Sequence, residues 1–96
     1  MKVIFKKKAR QAILSAVLYI EEQGFPINAD SFYIRLLDFG ESLSFYPDKY
    51  PLCRFPILAE RMLRCAVFEK IYIFVYKVIA GELVIYDVIH ARRMNF

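Results

Sequence analysis

Hydrophobic residues recur at three- and four-residue spacing between residues 7 and 24, which predicts an amphipathic helix. Its apolar stripe contains Ala9, Ile13, Leu14, Ala16, Val17, Leu18 and Ile20. Gly24 is expected to end this helix as a C-terminal cap, and Pro26 to prevent it from resuming. Before the helix, residues 2–5 predict a short strand.

A second helix is predicted after a very short link. Asn28 or Asp30 is expected to cap its start, and Pro47 to close it. Its apolar face is formed by Phe32, Leu36, Phe39 and Leu43. Two helices joined by so few residues must lie side by side as an antiparallel hairpin. Residues 46–56, which contain three of the four prolines, predict an ordered connector.

The C-terminal third is strand-like. Three segments rich in Val, Ile, Tyr and Phe occupy residues 61–68, 71–79 and 82–90, and two-residue separators predict two tight hairpins. The sequence therefore predicts a single α+β domain over residues 1–96. In it, a short N-terminal strand and an antiparallel helical hairpin pack with a mostly antiparallel three- to four-stranded sheet, in the order β-α-α-β-β-β.

With two-residue turns, strand alternation assigns each side chain to one face of the sheet. The face expected beneath the helices carries Leu63, Cys65, Val67, Tyr72, Phe74, Tyr76, Val78, Leu83, Ile85, Asp87 and Ile89. The second face carries Met62, Arg64, Ala66, Phe68, Ile71, Ile73, Val75, Lys77, Val84, Tyr86, Val88 and His90. Because two helices do not comfortably cover both faces, we expect the second to be open and functional. A turn of another length would shift this assignment.

Composition adds a reason to expect a binding partner. Hydrophobic residues make up 58% of the chain and aromatic residues 17%, which excludes an intrinsically disordered tail. A small domain rarely carries this much apolar surface unless some of it is covered by a partner. The residues predicted to bind that partner are Leu14, Leu18, Phe68, Ile73 and Val75.

The net charge of +4 is compatible with nucleic acid without requiring it. Basic residues cluster in the first ten positions, where Lys2, Lys6, Lys7, Lys8 and Arg10 have no acidic neighbour. This cluster either contacts nucleic acid or forms a solvated helix start. Both alternatives stay open at the level of sequence.

Cysteine and histidine are too few for a zinc site, since the chain has only Cys53, Cys65 and His90. The two cysteines do not suggest a disulfide framework, so a reducing cytoplasm is expected. No apolar stretch approaches the roughly 20 residues that a spanning helix requires, and no signal peptide is predicted. No cofactor or metal is implied.

The later strands and the connector together carry a family pattern. Residues 72–78 read YIFVYKV, and residues 83–93 read LVIYDVIHARR. The first resembles the Y-x-x-x-Y-x-V strand of the RelE/ParE toxins of bacterial type II toxin–antitoxin modules, and the second resembles their closing strand with its H-x-R-R-type ending. The order of Tyr50-Pro51, Arg54-Phe55-Pro56 and Arg64 supports the resemblance, which covers nearly the whole chain.

The resemblance implies a toxin neutralised by a cognate antitoxin, in a hetero-oligomer, with one of two targets. RelE-like members cleave messenger RNA on the ribosome without metal, using basic residues and often a Tyr or His on the open sheet face. ParE-like members inhibit DNA gyrase. If the chain is a ribonuclease, the candidate catalytic residues are Arg64, His90 and Arg93. The candidate target-binding residues are Arg64, Lys77, Tyr86, His90, Arg92 and Arg93.

The sequence departs from the ribonuclease pattern where Ile73 and Ala66 replace basic residues. Metal-free phosphodiester cleavage needs several groups converging on the phosphate. The ParE-like branch is therefore preferred, with a RelE-like ribonuclease and a degenerate, non-toxic interaction module as alternatives. His90 is interpreted either as a general base or as a structural hydrogen-bonding residue.

Overall fold

A computed structural model of the chain describes residues 1–23 and 26–93, and the side chains of all of these except residues 26 and 27. Gly24 lies outside the described residues. The elements are β1 (Val3–Phe5), α1 (Lys7–Glu22), α2 (Pro26–Ser42), α3 (Pro56–Glu60), β2 (Arg64–Phe68), β3 (Tyr72–Ile79) and β4 (Glu82–His90), followed by a 3₁₀ turn at Ala91–Arg93.

The four strands form one mixed sheet in the order β1-β4-β3-β2. β2, β3 and β4 are the predicted antiparallel meander, and β1 pairs in parallel with β4. The N–H of Lys6 extends that parallel pair by donating to the Ile85 carbonyl at 2.9 Å. The predicted α+β fold is confirmed, and β1 extends the meander by pairing with β4 at its edge.

The helical hairpin packs on one face of this sheet. α2 begins at Pro26, so Asn28 and Asp30 lie inside its first turns and the predicted cap there is wrong. Proline at the first helical position is favourable because its fixed φ suits the helix and its missing N–H costs nothing there. The main core between the helices and the sheet contains Ala9, Ile13, Ala16, Phe32, Leu36, Leu43, Ala66, Phe68, Phe74, Tyr76, Leu83, Ile85 and Val88.

The prediction of which β2 side chains face the helices is wrong, because the strand is shifted by one residue relative to β3. The turn between β2 and β3 has three residues, because Phe68 pairs with Tyr72, and both Glu69 and Lys70 adopt positive φ. Since one residue of slip moves every side chain to the other face, Ala66 and Phe68 face the helices. Cys65 and Leu63 face away from them.

The second half of β4 is also reversed relative to the prediction. Val75 pairs with Asp87 but Tyr76 pairs with Ile85, so a β-bulge leaves Tyr86 as an extra residue on β4. Leu83 and Ile85 face the helices as predicted. Beyond the bulge, Val88 and His90 face the helices, whereas Asp87 and Ile89 face the other way, as the pairing of Val88 with Phe74 and of His90 with Tyr72 requires.

The prediction of an open second face is wrong, because the chain covers much of it with its own connector. The proline-rich segment folds back as α3, a helix that the sequence reading missed. A second core forms beneath it, containing Cys53, Leu63, Cys65, Ile73 and Val75 with Phe55, Leu58, Tyr86, Ile89 and Ala91 packed around them. We call this side of the sheet the outer face.

A disulfide between Cys53 and Cys65 joins the connector to β2, with the two Cα atoms 4.9 Å apart. The expectation that the cysteines form no disulfide is therefore wrong. Backbone hydrogen bonds support the same junction, from Cys53 N–H to the Leu63 carbonyl and from Cys65 N–H to the Pro51 carbonyl. None of the helices in the described part of the chain has the length and hydropathy that a membrane span requires.

Candidate functional site

A cleft opens between α1 and the last residues of the sheet. It has a volume of about 580 Å³ and is lined by Ala12, Ser15, Ala16, Tyr19, Tyr72, Val88, His90, Arg92 and Arg93. We call it the terminal cleft. It brings together three of the residues that the sequence proposed, His90, Arg92 and Arg93, because β4 and the 3₁₀ turn place them in succession at one end of the sheet.

The His90 ring is held by two neighbours in this cleft. Its Nδ1 accepts a hydrogen bond from the Arg92 backbone N–H at 3.1 Å. A neutral ring in this arrangement therefore carries its proton on Nε2. The ring also packs edge-on against Tyr72, with centroids 5.3 Å apart. These contacts give His90 a defined orientation whether its role is structural or functional.

Tyr72 belongs to the terminal cleft, although the sequence reading did not select it as a site residue. Burial raises the pKa of its hydroxyl, the neighbouring Tyr19 raises it further, and the positive charge of Arg93 lowers it. The hydroxyl therefore stays protonated at neutral pH and is available as a donor. Its position opposite His90 depends on the bulge in β4, which the sequence pattern did not reveal.

Arg64 does not join this group. It lies at the first residue of β2, opposite Tyr76, whereas His90 lies opposite Tyr72. Four residues of strand separate the two levels, which is about 13 Å at roughly 3.3 Å per residue. The Arg64 guanidinium donates to the Tyr50 carbonyl at 2.6 Å and lies 3.4 Å from an Asp48 carboxylate oxygen. These contacts tie Arg64 to the connector.

Lys77 and Tyr86 lie on the outer face, away from the terminal cleft. The Lys77 ammonium donates to the Arg61 carbonyl at 3.0 Å. The Arg61 guanidinium lies over the Tyr86 ring, 5.7 Å from its centroid. The six candidate target-binding residues are thus distributed over both faces of the sheet and both ends of β3.

The residues predicted to bind a partner divide into two groups. Leu14 and Leu18 on α1 are exposed, with 52% and 54% of their surface accessible. Phe68, Ile73 and Val75 are instead buried, at 6%, 1% and 2%. Phe68 packs beneath the helices, and the other two lie beneath the connector, so their expected exposure on an open face is wrong. Contact with a partner stays a prediction for Leu14 and Leu18.

No curated protein matches this chain. Residues 3–95 match the family described as ParE toxin of type II toxin-antitoxin system, parDE. The match spans nearly all of the chain, including α1, α2, the connector with α3, and all four strands. This chain therefore belongs to the ParE toxin family of type II toxin–antitoxin systems.

Proposed function

We propose that this toxin arrests growth in the cytoplasm by inhibiting DNA gyrase, and that a cognate antitoxin neutralises it in a hetero-oligomeric complex. Membership of the family implies the antitoxin partner. Two buried apolar positions of the sheet favour gyrase over messenger RNA as the target.

The single observation that carries this choice is that two positions of the expected basic cluster, Ala66 and Ile73, are apolar and buried. The resemblance implies that a RelE-like ribonuclease presents its basic cluster on an open sheet face, in part at the positions of Ala66 and Ile73. Here Ile73 is buried under the connector, and Ala66 is fully buried beneath the helices. Neither position supplies a charge to a phosphate.

The remaining candidate catalytic groups do not compensate for this loss. His90 and Arg93 line the terminal cleft, but Arg64 lies about 13 Å further along the sheet at roughly 3.3 Å per residue and is bound to the connector. Metal-free cleavage of a phosphodiester needs an acid, a base and charge stabilisation at one phosphate. Their separation favours inhibition by binding over hydrolysis.

The test measures the growth of induced cells and the activity of gyrase in the presence of the purified chain. Inducing the chain without its antitoxin is expected to arrest growth, and the purified chain is expected to block supercoiling by gyrase and to trap cleaved DNA. Co-expression of the protein from a neighbouring reading frame should restore growth if that frame encodes the antitoxin.

Two other results would overturn the proposal. Transcript cleavage mapped within translating ribosomes, with gyrase unaffected, would identify a RelE-like ribonuclease. Unimpeded growth of cells that accumulate folded chain would identify a degenerate interaction module. Growth and transcript cleavage are read from the induced cultures and gyrase activity from the purified chain, so the measurements together separate the three functions.

A further inference from the structure

A second cleft lies on the outer face, between the β1–α1 junction and the end of α3. It has a volume of about 430 Å³ and is lined by Lys6, Lys7, Lys8, Leu58, Arg61, Leu63, Val75, Tyr86, Asp87 and Ile89. We call it the basic cleft. Of its lining residues, only Tyr86 is among the candidate target-binding residues.

The basic cleft contains more positive charges than the ion pairs of the fold neutralise. Its one carboxylate, Asp87, pairs with Lys8 at 3.2 Å. Lys6, Lys7 and Arg61 have no ion-pair partner among the residues that the structure describes. Lysines at the start of α1 face the positive end of the helix dipole, which is mildly unfavourable. Helix stability therefore does not explain their presence, whereas an anionic ligand would.

The floor of the cleft is apolar and aromatic. Leu63 and Val75 are buried at its base, and the half-buried Tyr86 ring lies beside them under the Arg61 guanidinium. Cations around an aromatic platform are typical of sites for single-stranded nucleic acid, where bases stack and phosphates contact Lys and Arg. An acidic peptide would satisfy the charges, but only a nucleic acid pairs every negative charge with a flat ring that can stack on Tyr86.

We propose that the basic cleft binds a single-stranded DNA segment: the Arg61 guanidinium moves off the Tyr86 ring so that one base stacks there, and adjacent phosphates contact Lys6, Lys7 and the displaced Arg61. The choice of DNA over RNA rests on the proposed function, since gyrase acts on DNA. The binding itself is measured with the toxin alone. Its failure is therefore distinguishable from failure of gyrase inhibition, which is measured separately by supercoiling.

The first experiment measures fluorescence anisotropy of a labelled short oligothymidylate as salt is varied. Each lost phosphate contact should reduce the slope of log affinity against log salt by about 0.7 for a single strand. We expect Lys6→Gln/Lys7→Gln to weaken binding on the order of ten-fold at about 0.1 M salt and to flatten the slope by about 1.4. The control, Lys49→Gln/Lys70→Gln, removes the same charge elsewhere and should leave the slope unchanged.

The second experiment tests stacking. Tyr86→Leu keeps an apolar side chain against the second core, beneath the connector, and we expect it to weaken binding about ten-fold without changing the salt slope. Thermal unfolding of each variant verifies that it is folded. Equal losses in the control pair, or an unchanged affinity in both Tyr86→Leu and the Lys6/Lys7 variant, would overturn the proposal.

Two competing probes decide the class of ligand. A polyglutamate peptide of equal length that binds more tightly than the oligothymidylate would show that the cleft takes an acidic protein segment. An oligouridylate that binds about ten-fold more tightly or better would show that it takes RNA. Either outcome overturns the assignment to DNA.

Discussion

The hydroxyl of Tyr76 donates a hydrogen bond of 2.6 Å to the carbonyl of Pro47, joining the centre of the sheet to the segment that follows α2. Tyr76 is fully buried. Its ring belongs to the core beneath the helices, so one residue both fills the core and fixes the path of the connector. Burial raises the pKa of this hydroxyl to about 12, the nearby Arg64 charge lowers it, and Tyr50 and Asp48 raise it.

This raised pKa predicts a loss of stability in alkali. The folded protein disfavours the phenolate of Tyr76. The contribution of this hydroxyl to the free energy of unfolding is therefore fully present below the ordinary pKa of 10.0 and is lost as pH rises towards about 12. The free energy of unfolding should fall by about 2–3 kcal/mol over that range from Tyr76. Urea unfolding at a series of pH values measures it, with Tyr72 expected to act in the same direction.

Tyr76→Phe separates this effect from general alkaline damage. At neutral pH the variant should be about 1–2 kcal/mol less stable, because the Pro47 carbonyl loses its partner. Its stability should then decline less steeply than that of the parent above pH 10.0. Parallel curves for the two proteins would show that another group is responsible.

Reduction of the disulfide is predicted to destabilise the chain. Cys53 and Cys65 are 12 positions apart, and closing a loop of about 15 residues contributes about 3 kcal/mol in the chain-entropy account. Urea unfolding with and without a dithiol reductant measures this difference. The double variant Cys53→Ala/Cys65→Ala should match the reduced parent approximately and should not respond to reductant. Two thiols titrating in the native, untreated chain would contradict the prediction.

Gly40→Ala is predicted to destabilise the packing of α2 on the sheet. A Cβ at this position would lie 2.6 Å from the Phe5 ring and 3.0 Å from Ile85 Cδ1. The overpacking cost of about 1–3 kcal/mol should outweigh the gain in helix propensity of about 1 kcal/mol. Thermal unfolding measures the net loss. Phe5→Leu removes the end of the ring, so the double variant should be more stable than the sum of the single changes implies.

Leu14→Glu/Leu18→Glu is predicted to weaken antitoxin binding without unfolding the toxin. Both side chains are about half exposed, so their replacement leaves the core intact. We expect a fall in affinity of at least about ten-fold by calorimetry, since charges would replace two apolar anchors. Ile57→Glu, at an exposed residue of α3 on the outer face, is the control. Unchanged affinity in the double variant would remove α1 from the antitoxin interface.

His90→Ala/Arg93→Ala is predicted to reduce inhibition of gyrase if the terminal cleft contacts the target. We expect on the order of ten-fold more toxin to be needed in the supercoiling assay, from the loss of about 1–2 kcal/mol of polar contact. Arg10→Ala, exposed on α1, controls for the loss of positive charge. Full inhibition by the double variant would exclude these residues from the target site.

The sequence patterns predicted the positions of helices and strands better than they predicted which face of the sheet each side chain occupies. Helical periodicity located α1 and most of α2, and the segment predicted as the last strand has the bounds of β4, Glu82–His90. Face assignment failed because it depends on single-residue counts. The turn at Glu69 and Lys70 is one residue longer than assumed, and the bulge at Tyr86 has no composition signal that distinguishes it from a regular strand.

The site was less predictable than the fold for a related reason. His90 and Arg93 were selected from their types and positions, but their partner Tyr72 depends on the register across the bulge. The covered outer face was missed because prolines in residues 46–56 suggested only a connector. A spacing of 12 between Cys53 and Cys65 is uninformative until the connector is seen to fold back over β2.

The parallel pairing of β1 with β4 also sets the order in which the molecule can be completed. Val3 pairs with Leu83, so the first strand made has no partner until the last strand has been synthesised. At a synthesis rate of about 5–20 residues per second, β1 stays unpaired for several seconds. Both clefts take residues from β4, including His90 in one and Tyr86 in the other. A nascent toxin therefore has neither cleft until β4 has been synthesised.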